Sequence, residues 1–109
     1  MVNYDSQQTY AIADTIWQQL GAQRFALTTG SKPITYGEDN GKVFLLMSVG
    51  RNTNAINRLE VAYDDGLDTY DMKFIRKRGI ESHVVAAYKG IYGGNMMTIF
   101  KNITGMQKV

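Results

Sequence analysis

The turn at residues 39–42, with the sequence Asp-Asn-Gly-Lys, constrains the fold of this chain more than any other segment. An Asn-Gly pair at the centre of a two-residue hairpin loop favours a type I′ turn, because both central residues must adopt positive φ. Residues 34–37 and 42–49 are therefore predicted to be paired strands. The second strand is apolar on both faces, which indicates a place in the sheet interior with cover on both sides.

The same turn predicts a register for this first hairpin. A two-residue loop places Tyr36 opposite Leu45 and Ile34 opposite Met47. Pro33 opens the first strand, since a proline has no backbone N–H to give to a central ladder. Tyr36 is predicted to face the core with its hydroxyl at the boundary, and the same is predicted for Tyr63 and Tyr70.

A second hairpin is predicted from residues 56–63 and 68–76. Its apolar residues share a face in either of two registers, one placing Glu60 opposite Asp71 and the other placing Glu60 opposite Lys73. Opposite charges across a strand pair attract by a fraction of a kcal/mol and like charges repel. The attractive register also leaves Gly66-Leu67 as a type II′ turn, which takes glycine first. We therefore predict the pairing of Glu60 with Lys73.

Helices are predicted at both ends of the sheet. Residues 6–20 carry apolar side chains at helical spacing, with Asp5 and Gln8 as a capping box and Gly21 as the stop. Residues 92–104 show the same spacing and end at Gly105. Residues 24–29 are predicted to be a short strand, 50–55 a loop and 80–88 an extended segment. The chain is thus predicted to be a single α+β domain, residues 1–109, with an N-terminal helix, four or five antiparallel strands and a C-terminal helix.

Composition narrows the class of protein. The chain has 109 residues, no cysteine and a formal charge of +2. The lack of cysteine excludes disulfides and thiolate chemistry and fits a reducing compartment. The longest apolar run, residues 43–47, is too short to cross a bilayer, and the N-terminus does not resemble a secretory signal. A cytoplasmic protein without membrane contact is predicted.

Charge is unevenly distributed along the second hairpin. Its turn carries four aspartates and its far end carries four cations, namely Asp64, Asp65, Asp68 and Asp71, then Lys73, Arg76, Lys77 and Arg78. The two ends are about 25 Å apart at the usual strand rise. Because the Debye length is about 8 Å in physiological salt, the acidic turn barely cancels the basic end.

This basic end is the candidate binding site. The predicted register places Arg58 and Arg76 about one residue step apart on paired strands, and Lys77 and Arg78 continue from there. Arg51 leaves the polar loop nearby. These five cations are predicted to contact an anion, such as a phosphate or an acidic partner surface. The alternative is that charged residues at a sheet rim only discourage strand-to-strand aggregation.

Other motifs predict no chemistry. His83 is the single histidine and has no nucleophile or acid at an informative spacing. The aspartates of the turn lack the ligand spacing of an EF-hand. Residues 37–42 have too few residues between glycines for a phosphate loop, and Val43 stands where that loop has Ser or Thr. No enzyme activity, metal or cofactor is predicted.

Several segments resemble small uncharacterised proteins encoded by bacteriophages and integrated mobile elements. The resemblance lies in residues 16–25 (IWQQLGAQRF), 29–32 (TGSK), 50–52 (GRN), 56–57 (IN), 68–71 (DTYD) and 104–106 (TGM). It covers most of the chain and implies an origin in a mobile element and a place in the bacterial cytoplasm. It carries no catalytic motif.

Two function classes follow. The first is a non-catalytic accessory protein that binds nucleic acid, or a protein that handles nucleic acid, through the basic sheet edge. The second is a protein-interaction or self-associating factor, such as an inhibitor of a host enzyme, that uses exposed Tyr and Met side chains. The seven tyrosines of the chain suit an interface, where aromatic residues, Met and Arg are enriched.

Overall fold

The computed structural model describes residues 4–106, which form three α-helices, a short 3₁₀ segment and five strands. In chain order these are α1 (Ser6–Leu20), α2 (Ala22–Thr29), β1 (Lys32–Asp39), β2 (Lys42–Ser48), β3 (Arg58–Asp64), β4 (Thr69–Arg78), β5 (Glu81–Ile91), a 3₁₀ turn (Gly93–Asn95) and α3 (Met96–Thr104). Each strand pairs antiparallel with the next, so the sheet order is β1-β2-β3-β4-β5. The predicted α+β class, with an N-terminal helix, an antiparallel sheet and a C-terminal helix, is confirmed.

The helix α1 forms as predicted. The Asp5 carboxylate accepts the backbone N–H of Gln8 at 2.8 Å, and the Gln8 side chain accepts the backbone N–H of Asp5 at 3.0 Å. This capping box satisfies two of the donors that a helix start leaves free. Gly21, at φ 116°, ends the helix in the left-handed region.

The predicted strand at residues 24–29 is wrong, because this segment is the helix α2. Phe25 and Thr29 are buried, whereas Leu27 is 78% exposed, so the buried positions are four apart instead of two. That spacing places both side chains on one helical face. The Phe25 ring packs edge-on to Phe100 of α3, with ring centroids 5.0 Å apart.

The first hairpin confirms the turn but only part of the register. Asn40 and Gly41 have φ values of 53° and 79°, as a type I′ turn requires. Tyr36 pairs with Leu45 as predicted, but a bulge between Pro33 and Thr35 places Pro33, not Ile34, opposite Met47.

Two predictions about burial around β1 and β2 are wrong. Tyr36 is 46% exposed, because the edge strand β1 lies at the margin of the helical layer, where its ring meets Tyr10 of α1 at 5.9 Å. Strand β2 is covered on one face only: Leu45 and Met47 are buried, while Phe44 and its neighbours on the other face are half-buried. The buried core lies between the sheet and the helices, and the described residues leave the other face open.

The second hairpin confirms the predicted register but not its turn. Glu60 pairs with Lys73, and their charged atoms lie 3.7 Å apart. Asp64 pairs with Thr69, so the loop has four residues, 65–68, and the residue at positive φ is Asp68, not Gly66. Side chains hold this wider loop, since Asp64 accepts the N–H of Leu67 and Asp68 accepts the hydroxyl of Tyr63 at 2.7 Å.

The last strand and the closing helix are both present, but their bounds differ from those predicted. The segment predicted as extended is the strand β5, which joins β4 through a two-residue turn with Gly79 at φ 60°. The closing helix begins at Met96 instead of Tyr92, because Gly93 and Gly94 are poor helix formers and lie in or beside the 3₁₀ turn. It ends before Gly105, at φ 77°. No helix within residues 4–106 combines the length and apolarity needed to span a bilayer.

Candidate anion-binding site

The loop at residues 50–55 is shaped by the side chain of Asn52. Its Nδ2 donates to the carbonyl oxygens of Gly50 and Ile56 at 2.9 and 2.7 Å. Its Oδ1 accepts the N–H groups of Asn54 and Ile56 at 3.2 and 3.1 Å. One amide group therefore satisfies four backbone groups, which is the way Asn side chains stabilise turns. The loop has a defined shape although it has no regular structure.

Gly50 fixes this loop against the end of α2. Its N–H donates to the carbonyl of Thr29 at 3.0 Å, and a Cβ on Gly50 would lie 2.3 Å from that same oxygen. Only a residue without a side chain permits this approach. Beside it, the buried hydroxyls of Thr29 and Ser31 are hydrogen-bonded at 2.6 Å.

Asn57 joins the end of the loop to β4. Its backbone N–H donates to Ile75, its Nδ2 donates to the carbonyl of Lys77 at 2.8 Å, and its Oδ1 accepts the N–H of Lys77 at 2.8 Å. The side chain thus extends the ladder beyond the start of β3. Asn54 adds a second tie, because its Nδ2 donates to Ile103 of α3 and its carbonyl accepts Nη2 of Arg76 at 2.9 Å.

These ties bring three of the five predicted cations together. Arg51, Arg76 and Arg78 line one cavity of about 300 Å³, which we call the arginine cleft. The other lining residues are Val49, Gly50, Asn52, Ala55, Ile56 and Asn57. Arg51 and Arg78 are exposed, whereas Arg76 is partly buried. The cleft lies where the loop meets the end of β4.

The other two predicted cations lie on the opposite face of the sheet. Arg58 pairs with Ile75, so Arg76, the next residue, points the other way. Lys77 alternates back to the face of Arg58. Arg58 donates to the carbonyl of Asn57 at 2.8 Å, and Lys77 donates to the carbonyl of Gly79 at 3.0 Å. The five cations therefore share one end of the sheet but not one face.

None of the five cations forms an ion pair within 4.0 Å of a carboxylate in the described part of the chain. Moreover, Nε of Arg76 is buried and has no hydrogen-bond partner there. A buried guanidinium N–H without an acceptor is unfavourable by about 1–3 kcal/mol. Because Nε is closed to solvent, an anion in the cleft can reach only the terminal nitrogens of Arg76.

At the acidic end of the hairpin, by contrast, Lys42 lies beside two of the four aspartates. Its Nζ lies 2.8 Å from Asp71 and 3.6 Å from Asp64, and the hydrogen bond to Asp71 raises the pKa of Lys42 above its ordinary value. The hydrogen bond to Asp68 likewise raises the pKa of Tyr63. Among residues 4–106, no three His, Asp or Glu side chains are grouped to hold a metal ion.

The remaining candidates are dispersed. His83 is largely exposed on β5, with Nε2 at 4.0 Å from the carboxylate of Glu81. Of the methionines, Met47, Met72 and Met96 are buried in the core. The exposed tyrosines are Tyr10, Tyr36, Tyr88 and Tyr92. Exposed aromatic surface therefore comes from tyrosine and is spread over α1, both edge strands and the segment before α3.

Comparison with protein-family models, with curated proteins and with solved structures finds no match to this chain. The arginine cleft is therefore the feature of this protein from which a function can be inferred. The residues that shape the cleft and that the sequence did not indicate as site residues are Gly50, Asn52, Asn54 and Asn57. Their signal was the sequence Gly-Arg-Asn-Thr-Asn-Ala-Ile-Asn, since closely spaced Asn residues favour side-chain-stabilised turns.

Proposed function

We propose that this protein binds nucleic acid through the phosphate groups of the backbone, with the arginine cleft as the central contact. It acts as a non-catalytic accessory protein of the bacteriophage type that its sequence resembles, in the bacterial cytoplasm. The observation that carries the proposal is the convergence of Arg51, Arg76 and Arg78 on one cavity without a carboxylate partner among the described residues. Unpaired guanidinium groups are suited to phosphate, which they bind through two parallel hydrogen bonds.

The surroundings of Arg76 favour an anion-binding role over the alternative, in which the cations only protect the sheet rim from aggregation. Rim charges that only prevent aggregation are solvated and need no shaped surroundings. Arg76 is instead partly buried and donates Nη2 to the carbonyl of Asn54 at 2.9 Å, so its guanidinium is held in place. The exposed Arg51 and Arg78 stand beside it in the same cleft. A phosphate there contacts one fixed guanidinium and two adaptable ones.

The test is an affinity measurement with fluorescently labelled DNA and RNA at several salt concentrations. The wild-type protein is expected to lose affinity steeply as salt rises, because phosphate contacts release condensed counterions. The Arg51→Ala/Arg78→Ala variant is expected to bind about tenfold or more weakly at low salt and to lower the salt slope by about 2. Both side chains are exposed, so the melting temperature is expected to stay within a few degrees.

The matched control is Arg24→Ala/Lys32→Ala. It also removes two positive charges, but from exposed positions outside the cleft. It is expected to retain most of the affinity, because neither side chain lies in the cleft. If net charge alone governed binding, both variants would lose the same affinity. Equal losses in the two variants contradict a localised site. No nucleic-acid binding at low salt contradicts the proposed function.

A second candidate, protein interaction, is supported by a different surface. Tyr10 and Tyr36 form an exposed edge-to-face pair, and Ile34, two residues before Tyr36 at the bulge of β1, is 49% exposed. Exposed aromatic clusters of this kind are typical of interface cores. Sedimentation of the pure protein tests whether this patch mediates self-association. A monomer at high concentration that also fails to retain a host protein argues against it.

A further inference from the structure

The β4–β5 hairpin projects beyond the rest of the sheet. Strand β3 accompanies β4 only as far as the pair Arg58–Ile75, whereas β4 and β5 continue to the pair Arg78–Glu81. Every residue from 77 to 85 is exposed. At the turn, a Cβ on Gly79 would meet nothing within 4 Å, and Ile80 is fully exposed. The Asn57 side chain pairs with the backbone of Lys77, so the rung Arg78–Glu81 and the turn beyond it form a short two-stranded tip with an apolar residue at its end.

From this geometry we propose that the β4–β5 hairpin enters the major groove of duplex DNA, with Ile80 at the leading end. This inference rests on the proposed function and names its ligand. The major groove is about 12 Å wide and admits a two-stranded ribbon, whose strands are about 4.8 Å apart. The minor groove, about 6 Å wide, is too narrow for a ribbon with side chains on both faces.

The division of the cations between two faces supports a groove. A flat anionic surface can contact only one face of a ribbon at a time. A ribbon inside a groove has a phosphate backbone on each side, so Arg76 and Arg78 meet one wall while Lys77 and Arg58 meet the other. Residues 76–85 contain three cations, at positions 76–78, and one acidic residue, Glu81, so this part of the hairpin is positively charged overall.

The lining of the cleft separates duplex DNA from single strands. Proteins that bind single-stranded nucleic acid stack the bases on aromatic side chains. No aromatic residue lines the arginine cleft as described, and residues 76–82 contain none. Double-stranded RNA is disfavoured for a different reason, since its deep and narrow major groove does not admit side chains. Duplex DNA fits the ribbon best.

The experiment compares a short DNA duplex with the single strand and the RNA duplex of the same sequence. The wild-type protein is expected to bind the DNA duplex about tenfold or more tightly than either. Ile80→Glu places a negative charge at the leading end and is expected to lower that affinity about tenfold or more, because the carboxylate meets phosphates and base acceptors. Because Ile80 is fully exposed, the melting temperature of the Ile80→Glu variant should equal that of wild type.

The matched control is Leu67→Glu, which makes the same charge change at another exposed hairpin loop. Leu67 is 68% exposed and lies at the acidic end of the molecule, far from the cleft along β4. It is expected to leave duplex binding within about twofold of wild type, since charges beyond a Debye length are screened.

The outcomes separate this inference from the proposed function. Equal affinity for single strand and duplex, or an Ile80→Glu variant as tight as Leu67→Glu, overturns groove entry. The proposed function then still stands if Arg51→Ala/Arg78→Ala weakens binding. Competition by methyl green, a major-groove ligand, supports the inference, whereas competition by distamycin, a minor-groove ligand, contradicts it.

Discussion

A Gly50→Ala variant is expected to lose about 3 kcal/mol or more of stability, or to fail to fold. The added Cβ would lie 2.3 Å from the carbonyl oxygen of Thr29 and 3.1 Å from the Cα of Gly30. Both contacts are to backbone atoms, so no rotamer change relieves them. The end of α2 and the start of the loop have to separate, which breaks the hydrogen bond between Gly50 and Thr29.

Urea denaturation followed by circular dichroism measures this effect. The matched control is Gly94→Ala, because a Cβ on Gly94 meets nothing within 4 Å and its φ is not in the left-handed region. The control is expected to unfold at the wild-type midpoint or slightly above it, since alanine restricts the unfolded chain. A Gly50→Ala protein with the wild-type midpoint would contradict the close contact between the backbone of Gly50 and the end of α2.

The second large effect is expected from Asn52→Ala, which should cost about 2–4 kcal/mol. The substitution removes the partners of four backbone groups in a single loop. Because this loop presents Arg51 to the cleft, nucleic-acid affinity should fall as well, even under conditions where the variant remains folded. Asn52→Asp keeps the two accepted hydrogen bonds but loses both donated ones, so its stability should be intermediate.

The comparison variant for Asn52 is Asn102→Ala. Asn102 is exposed on α3, and alanine is a better helix former than asparagine. Its unfolding midpoint in urea is expected to equal or exceed that of wild type. If Asn52→Ala also unfolds with the wild-type midpoint, the hydrogen bonds of the loop do not stabilise the fold, and the placement of Arg51 loses its physical basis.

The elements that sequence predicted well depend on neighbours within a few residues. The capping box of Asp5 and Gln8 and the type I′ turn at Asn40-Gly41 are both set by local backbone chemistry. The pairing of Glu60 with Lys73 was also predictable, since one register attracts and the other repels.

The errors arose where distant contacts outweigh a short pattern. Six residues, 24–29, are too few to separate a strand from a helix, and burial of Phe25 against Phe100 decides for the helix. The four-residue loop after β3 depends on the side chains of Tyr63 and Asp68, which no turn rule for Gly66 includes. One face of the sheet stays open because α1, α2 and α3 all pack on the other face.

For the site, the sequence determined which residues are charged. Through the pairing of Glu60 with Lys73, it also predicted that Arg58 and residues 76–78 lie at one end of the sheet. Tertiary structure alone decided their grouping. Side chains alternate between faces along a strand, so Arg76 and Arg78 separate from Arg58 and Lys77. Only the folded loop, held by Asn52 and Asn57, brings Arg51 to the first pair.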